Sequence, residues 1–178
     1  MSKKKNATVY VSLIADLLHA GHINILNEAS KYGEVTVGLL TSTAIHELND
    51  TAYLKYQQRL EVIKNLRMVS NVVPQEDASY KKNLLKIKPD FVVHGDDWVD
   101  GKQSKYRTEV ISLLNEWGGK LVEAKYSSEI SDKNLKNKLM KLGVTTVNRL
   151  GRLRQLIHDK PIVRILEAHN AISALIAE

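Results

Sequence analysis

The chain reads as an α/β protein: an open parallel sheet with helices on both faces, followed by a C-terminal helical extension. Three observations predict this. Short, β-rich apolar runs alternate with stretches of helical periodicity, and the connections between them are short. The 178 residues, 43% hydrophobic and 26% charged, can fill the core of one domain plus an extension, but not two full domains.

Thr8 to Ile14 is β-rich and apolar and reads as a buried strand. Ala20 to Tyr32 carries Ile23, Ile25, Leu26 and Ala29 close to helical spacing, with Gly33 as the stop. Glu34 to Leu40 reads as a second strand and Tyr56 to Val69 as a helix. Asn71 to Val73 is a short strand closed by Pro74, and Tyr80 to Ile87 a short helix stopped by Lys88-Pro89. Asp90 to His94 is a strand, and Ser104 to Trp117 is a helix ended by Gly118-Gly119. Lys120 to Ala124 is a further strand and Ser131 to Leu142 a further helix. Gly143 to Asn148, short and uncharged, reads as a linker between residues 1–142 and 149–178. Open parallel sheets place their sites at the carboxyl ends of the strands, near the topological switch. That rule selects residues 15–22, 40–43, 95–98 and 125–131.

Composition narrows the chemistry. With no cysteine there is no disulfide, no thiolate metal site and no cysteine nucleophile, and zinc could use only His, Asp and Glu. The net charge of +6, from 26 basic and 20 acidic residues, favours an anionic ligand without naming one. Lys3, Lys4 and Lys5 read as a solvated tail. Lys81, Lys82, Lys86 and Lys88 are not interleaved with aromatics, and there is a single Phe, which argues against nucleic acid. No apolar run of signal-peptide length follows Met1 to Asn6, and no segment approaches a membrane span. A soluble cytoplasmic protein, with no membrane partner, is expected.

The first strand leads into Ala15-Asp16-Leu17-Leu18-His19-Ala20-Gly21-His22. Two histidines three apart at a helix start project to one side, and Gly21 between them admits a close approach. The N–H groups at such a helix start form an anion site. Imidazoles beside it can donate to phosphoryl oxygens as transition-state charge builds, and phosphoryl-type transfer needs positioning and charge stabilisation rather than a nucleophilic side chain. Two other readings stand beside this one: incidental histidines on a helix, and a metal pair, although HxxH lacks the glutamate of HExxH.

This segment resembles the cytidylyltransferase group of the HIGH nucleotidyltransferase superfamily, a Rossmann-like fold. That group's GxFDxxHxGH appears here as Leu13 to His22, without the usual Gly and Phe but with Asp16 and both histidines. Asp90 to Trp98 is similar to the GDDW segment of the same group; Gly101-Lys102 follows, and Gln58-Arg59 matches an arginine position at the start of the middle helix. The resemblance implies that CTP is attacked at its α-phosphorus by a phosphate or phosphonate oxygen, that pyrophosphate leaves, and that Mg²⁺ bridges triphosphate oxygens. GDDW suits a cytidylyl rather than an adenylyl enzyme. By the resemblance, His19 and His22 are catalytic. Leu13, Ile14, Asp16, Gly21, Arg59, Gly95, Asp96, Asp97, Trp98, Ile130 and Ser131 form the nucleotide site, with no protein metal ligand; a homodimer is the assembly it suggests.

Two departures point to an acceptor other than glycerol 3-phosphate. The RTEGISTT signature is replaced by Tyr126 to Lys133, which keeps Ile130 and Ser131 but loses the Arg and Gly and puts Glu129 near a triphosphate. The lysines usual before the middle helix are replaced by Asn49, Asp50 and Thr51, with Lys55 nearby. At the other end, Arg149 to Glu178, with Glu167-Ala168-His169-Asn170, resembles the opening of phosphoenolpyruvate phosphomutases. Those are (β/α)₈ barrels of about 250 residues, so 149–178 would be a truncated start of one. The order implies the N-terminal module of a bifunctional phosphonate-biosynthesis enzyme, acting on a phosphonate such as 2-hydroxyethylphosphonate. Glycerol-3-phosphate or another phospho-alcohol, and a nucleotide-binding module with impaired catalysis, are the alternative readings.

Overall fold

A computed structural model describes residues 7–48, 50, 52–99, 103–124 and 146–159. It divides the chain into two compact units, Met1–Leu139 and Met140–Glu178. In the first, five strands form one parallel sheet: β1 (Thr8–Leu13), β2 (Glu34–Leu40), β3 (Val69–Gln75), β4 (Phe91–Gly95) and β5 (Lys120–Ala124), in the order β3-β2-β1-β4-β5. The helices are α1 (Ala20–Ser30), α2 (Ser42–Glu47), α3 (Tyr56–Lys64), α4 (Lys81–Ile87) and α5 (Ser104–Trp117), and a 3₁₀ turn spans Asp96–Trp98.

The alternation of side chains along a strand explains why both sheet faces are covered. Val9, Val11 and Leu13 of β1 point to one face and pack with Leu26 and Ala29 of α1 and Ile63 of α3. Tyr10 points to the other face and joins Leu84 of α4 and Val110, Leu113 and Leu114 of α5. The helix after β1 therefore lies on one face and the helix after β4 on the opposite one. Because β1 and β4 are neighbours, the sheet's topological switch lies between their carboxyl ends, where a crevice opens.

Two glycines answer to close approach. A Cβ on Gly33 would sit 1.9 Å from the Ala7 carbonyl oxygen, and one on Gly38 would sit 1.8 Å from the Tyr10 hydroxyl.

The structure corrects several boundaries. The middle helix stops at Lys64 instead of Val69, because Val69 opens β3. That strand runs through Pro74 to Gln75; as an edge strand it pairs only with β2, so the missing N–H of Pro74 breaks no ladder on its other side. Helix α2 has no counterpart in the periodicity of the sequence. The Thr41 hydroxyl caps it, accepting from the Ala44 N–H at 3.3 Å, and Ala44 and Ile45 are buried. In the second unit, α6 (Thr146–Asp159) begins inside the stretch read as a linker. Val147, Leu150 and Leu153 extend a helical apolar spacing back through those uncharged residues. The expected helix Ser131 to Leu142, and 160–178 of the barrel-like segment, lie outside the described residues.

Candidate active site

The chain leaves β1 through Ala15, held at φ 54°, a left-handed conformation that a residue with a Cβ adopts only under constraint. The constraint comes from two buried charges. Asp16 is 2% exposed, and its carboxylate accepts the N–H groups of Tyr53 and Leu54, each at 2.8 Å. Arg59 of α3 is completely buried. Its Nη1 donates to the carbonyls of Ile14 at 2.7 Å and Leu40 at 2.8 Å, and its Nε donates to Leu54 at 3.3 Å. Burial pulls the guanidinium below its ordinary pKa, while Asp16 and then Tyr56, over whose ring it lies at 5.7 Å, pull the other way. One cation thus joins the carboxyl ends of β1 and β2.

His19 is the N-cap of α1, and its Nδ1 accepts the Gly21 N–H at 3.0 Å. In the neutral ring this places the proton on Nε2, which is then the donor. His22 is 7% exposed, and its ring lies 4.2 Å from that of His19. Burial, reinforced by His19, pushes its pKa down to about 4, so it is neutral at pH 7. The anion site expected at this helix start is smaller than supposed: the Gly21 N–H is engaged by the His19 ring and the His22 N–H by the His19 carbonyl at 3.0 Å.

Across the crevice, at the end of β4, the His94 ring stacks on Trp98 at 3.8 Å and 12°. Its Nδ1–H donates to the Gly95 carbonyl at 2.8 Å. The Trp98 Nε1–H donates to Glu123 at 2.9 Å, and Arg107 grips the same carboxylate through Nε at 2.8 Å and Nη2 at 2.9 Å. Arg107, and secondarily Trp98, hold the Glu123 carboxyl below the usual carboxylate range against the opposing effect of its partial burial. Below, the buried Tyr10 hydroxyl donates to Gln75 at 2.8 Å and accepts from Asn83 at 2.9 Å. Between these walls lies a cleft open to solvent, lined from both sides by apolar residues and a few polar groups.

Of the residues singled out in the sequence, His19, His22, Leu13, Ile14, Gly21, Gly95 and Trp98 line this cleft. Asp16 and Arg59 do not: they lie beneath it, bound to backbone groups, and shape it without reaching its wall. Asp96 is exposed and absent from the lining. The side chain of Asp97, and Ile130 and Ser131 with the rest of Tyr126 to Lys133, lie outside the described residues. Sequence reasoning missed His94, Gln75 and Tyr80 in the lining, and the Glu123–Arg107 pair behind it. His94 did carry a signal, being a polar residue at the carboxyl end of a buried strand.

Among the described lining residues none is Asp, Glu, Lys or Arg. No group of three His, Asp or Glu side chains that could hold a metal ion occurs among the described residues, and each Asp16 carboxylate oxygen accepts a backbone N–H. The described residues thus make no magnesium cage. Among them no helix is long and apolar enough to cross a membrane.

Residues 14–141 match the family described as cytidylyltransferase-like. The glycerol-3-phosphate cytidylyltransferase of Staphylococcus aureus is 30% identical over 125 residues, 68% of this chain and 92% of that protein. The enzyme of the same name from Bacillus subtilis is 33% identical over 102 residues, 55% of this chain and 78% of that protein. An FAD synthase of Methanohalophilus mahii is 33% identical over 84 residues, and the match spans 59% of its length. The crystal structure of a lipopolysaccharide core biosynthesis protein from Thermoplasma volcanium superposes with a TM-score of 0.59 at 25% identity, covering 68% of this chain and 99% of that one.

Proposed function

The chain belongs to the cytidylyltransferase-like family and is a nucleotidyltransferase, and we propose that it transfers CMP from CTP to a phosphonate such as 2-hydroxyethylphosphonate. A phosphonate oxygen attacks the α-phosphorus, the bond from that phosphorus to the α,β-bridging oxygen breaks, and pyrophosphate departs. Magnesium enters with the triphosphate as part of the substrate.

The observation that carries this reading is the His19–His22 pair. The two rings lie 4.2 Å apart on the cleft wall, one fixed as an Nε2–H donor by Gly21 and the other kept neutral by burial. Neutral donors fixed in place favour the phosphorane-like transition state, where oxygen charge peaks, and need no reorganisation as it forms. Support for a phosphonate acceptor comes from the Glu167 to Asn170 segment and its resemblance to phosphomutases. A second reading, glycerol 3-phosphate or another phospho-alcohol as acceptor, is favoured by the two glycerol-3-phosphate cytidylyltransferases among the relatives.

Pyrophosphate release separates these readings when CTP or ATP is paired with 2-hydroxyethylphosphonate, glycerol 3-phosphate or phosphoethanolamine. Release with CTP and the phosphonate is expected. Release only with a phospho-alcohol overturns the acceptor. No release from any pair, in folded protein, overturns catalysis, and CTP binding measured by calorimetry would then leave a nucleotide-binding module.

A further inference from the structure

We propose that Glu123, clamped by Arg107, is a positioning residue that fixes the Trp98 ring, and through it His94, as the nucleotide-facing wall of the cleft. This rests on the functional reading above and adds to it the device that holds the recognition wall in place.

Trp98 is 1% exposed, and a buried indole N–H requires an acceptor. The acceptor is not on its own 3₁₀ turn or on β4 but on the neighbouring strand, at 2.9 Å from Glu123 Oε1. Glu123 is also the register partner of His94 in the β4–β5 pairing, so the carboxylate arises beside the residue that the indole covers. A lone carboxylate could rotate and release the indole. Arg107, on α5, prevents this with two parallel bonds of 2.8 and 2.9 Å, one to each oxygen, which fix the plane of the group. Indole and imidazole then lie within 12° of parallel at 3.8 Å, and the Nδ1–H bond to Gly95 fixes the rotation of His94. Neither Glu123 nor Arg107 lines the cleft. The carboxyl stays ionised because Arg107, Trp98 and His94 all favour its charged form, so the clamp holds at neutral pH.

The test is CTP titration by calorimetry on the full chain, with steady-state kinetics beside it. Glu123→Ala should weaken CTP roughly tenfold, the effect of losing one charge-assisted hydrogen bond, with kcat within about twofold of wild type. Glu123→Gln, whose amide oxygen still accepts from the indole but loses the double grip of Arg107, should fall between the two and serves if the alanine variant does not fold. In Trp98→Phe protein, which has no N–H to hold, Glu123→Ala should add less than about twofold. With Trp117 replaced by Phe, so that Trp98 alone reports, Glu123→Ala should also shift tryptophan emission to the red. A wild type that fails to bind CTP overturns the functional reading and this inference with it. Wild-type binding that Glu123→Ala leaves unchanged, or an equal loss with Phe at position 98, overturns the positioning role alone.

Discussion

The two walls of the cleft are built on opposite principles. On the β1 side, two buried charges grip backbone: Arg59 takes the Ile14, Leu40 and Leu54 carbonyls, and Asp16 takes two N–H groups. On the β4 side, side chains grip side chains: a histidine on an indole, the indole on a carboxylate, the carboxylate on a guanidinium whose side chain is 32% exposed. Backbone held by buried charge is hard to displace, which suits groups that must meet a reacting phosphorus within a fraction of an ångström. A stack held by side chains presents flat ring surface in a fixed orientation, which suits recognition of a base or an acceptor. Under the proposed function, the difference puts chemistry on one wall and selectivity on the other.

The sharpest attack on this comparison is Arg59→Met, which leaves three buried carbonyls without their donor and the buried Asp16 carboxylate without the cation near it. Roughly 3–5 kcal/mol of stability should be lost in urea unfolding, whereas Arg107→Met, on the more exposed wall, should lose far less. Equal losses would erase the contrast.

The next lies in pH. The native pKa of His22 is lowered from 6.5 to about 4, so between those values the unfolded chain takes up a proton that the native state refuses. Stability should therefore fall as the pH drops through that window, by about 3 kcal/mol. Thermal melts of wild type and His22→Asn from pH 7 to pH 4 should diverge; parallel curves would show that His22 is not held neutral.

Third, His19→Ala or His22→Ala should lower turnover by roughly 10²-fold or more, as for loss of a positioned oxyanion donor, while CTP affinity changes far less. Turnover at wild-type level in both variants would move the chemistry elsewhere. The smallest effect belongs to Trp98→Phe, about tenfold in KM for CTP with kcat little changed, because truncating a hydrogen-bonded recognition group removes uniform binding. A drop in kcat instead would blur the division between the walls.

The sequence was most informative where a residue's task is local. The β1 strand, the histidine turn and the Asp90 to Trp98 segment are consecutive residues whose pattern states their geometry, and the sheet shows it. It was least informative where the partner is distant. Arg59 was legible as a site residue, but its carbonyl partners sit in other elements, so its role beneath the cleft had no local sign. Glu123 and Arg107 are 16 positions apart on a strand and a helix and look like any surface charges until the two elements dock. Helix α2 hid for a different reason: at six residues it is too short for its period to show.

The reach of Arg59 has a consequence during synthesis. It lies 45 residues after Ile14, the first carbonyl it must hold. At about 5–20 residues per second, a ribosome delivers it roughly two to nine seconds after that strand end has emerged. Until then the ends of β1 and β2 lack the cation that joins them, and the turn that carries His19 and His22 follows a strand end still without its anchor.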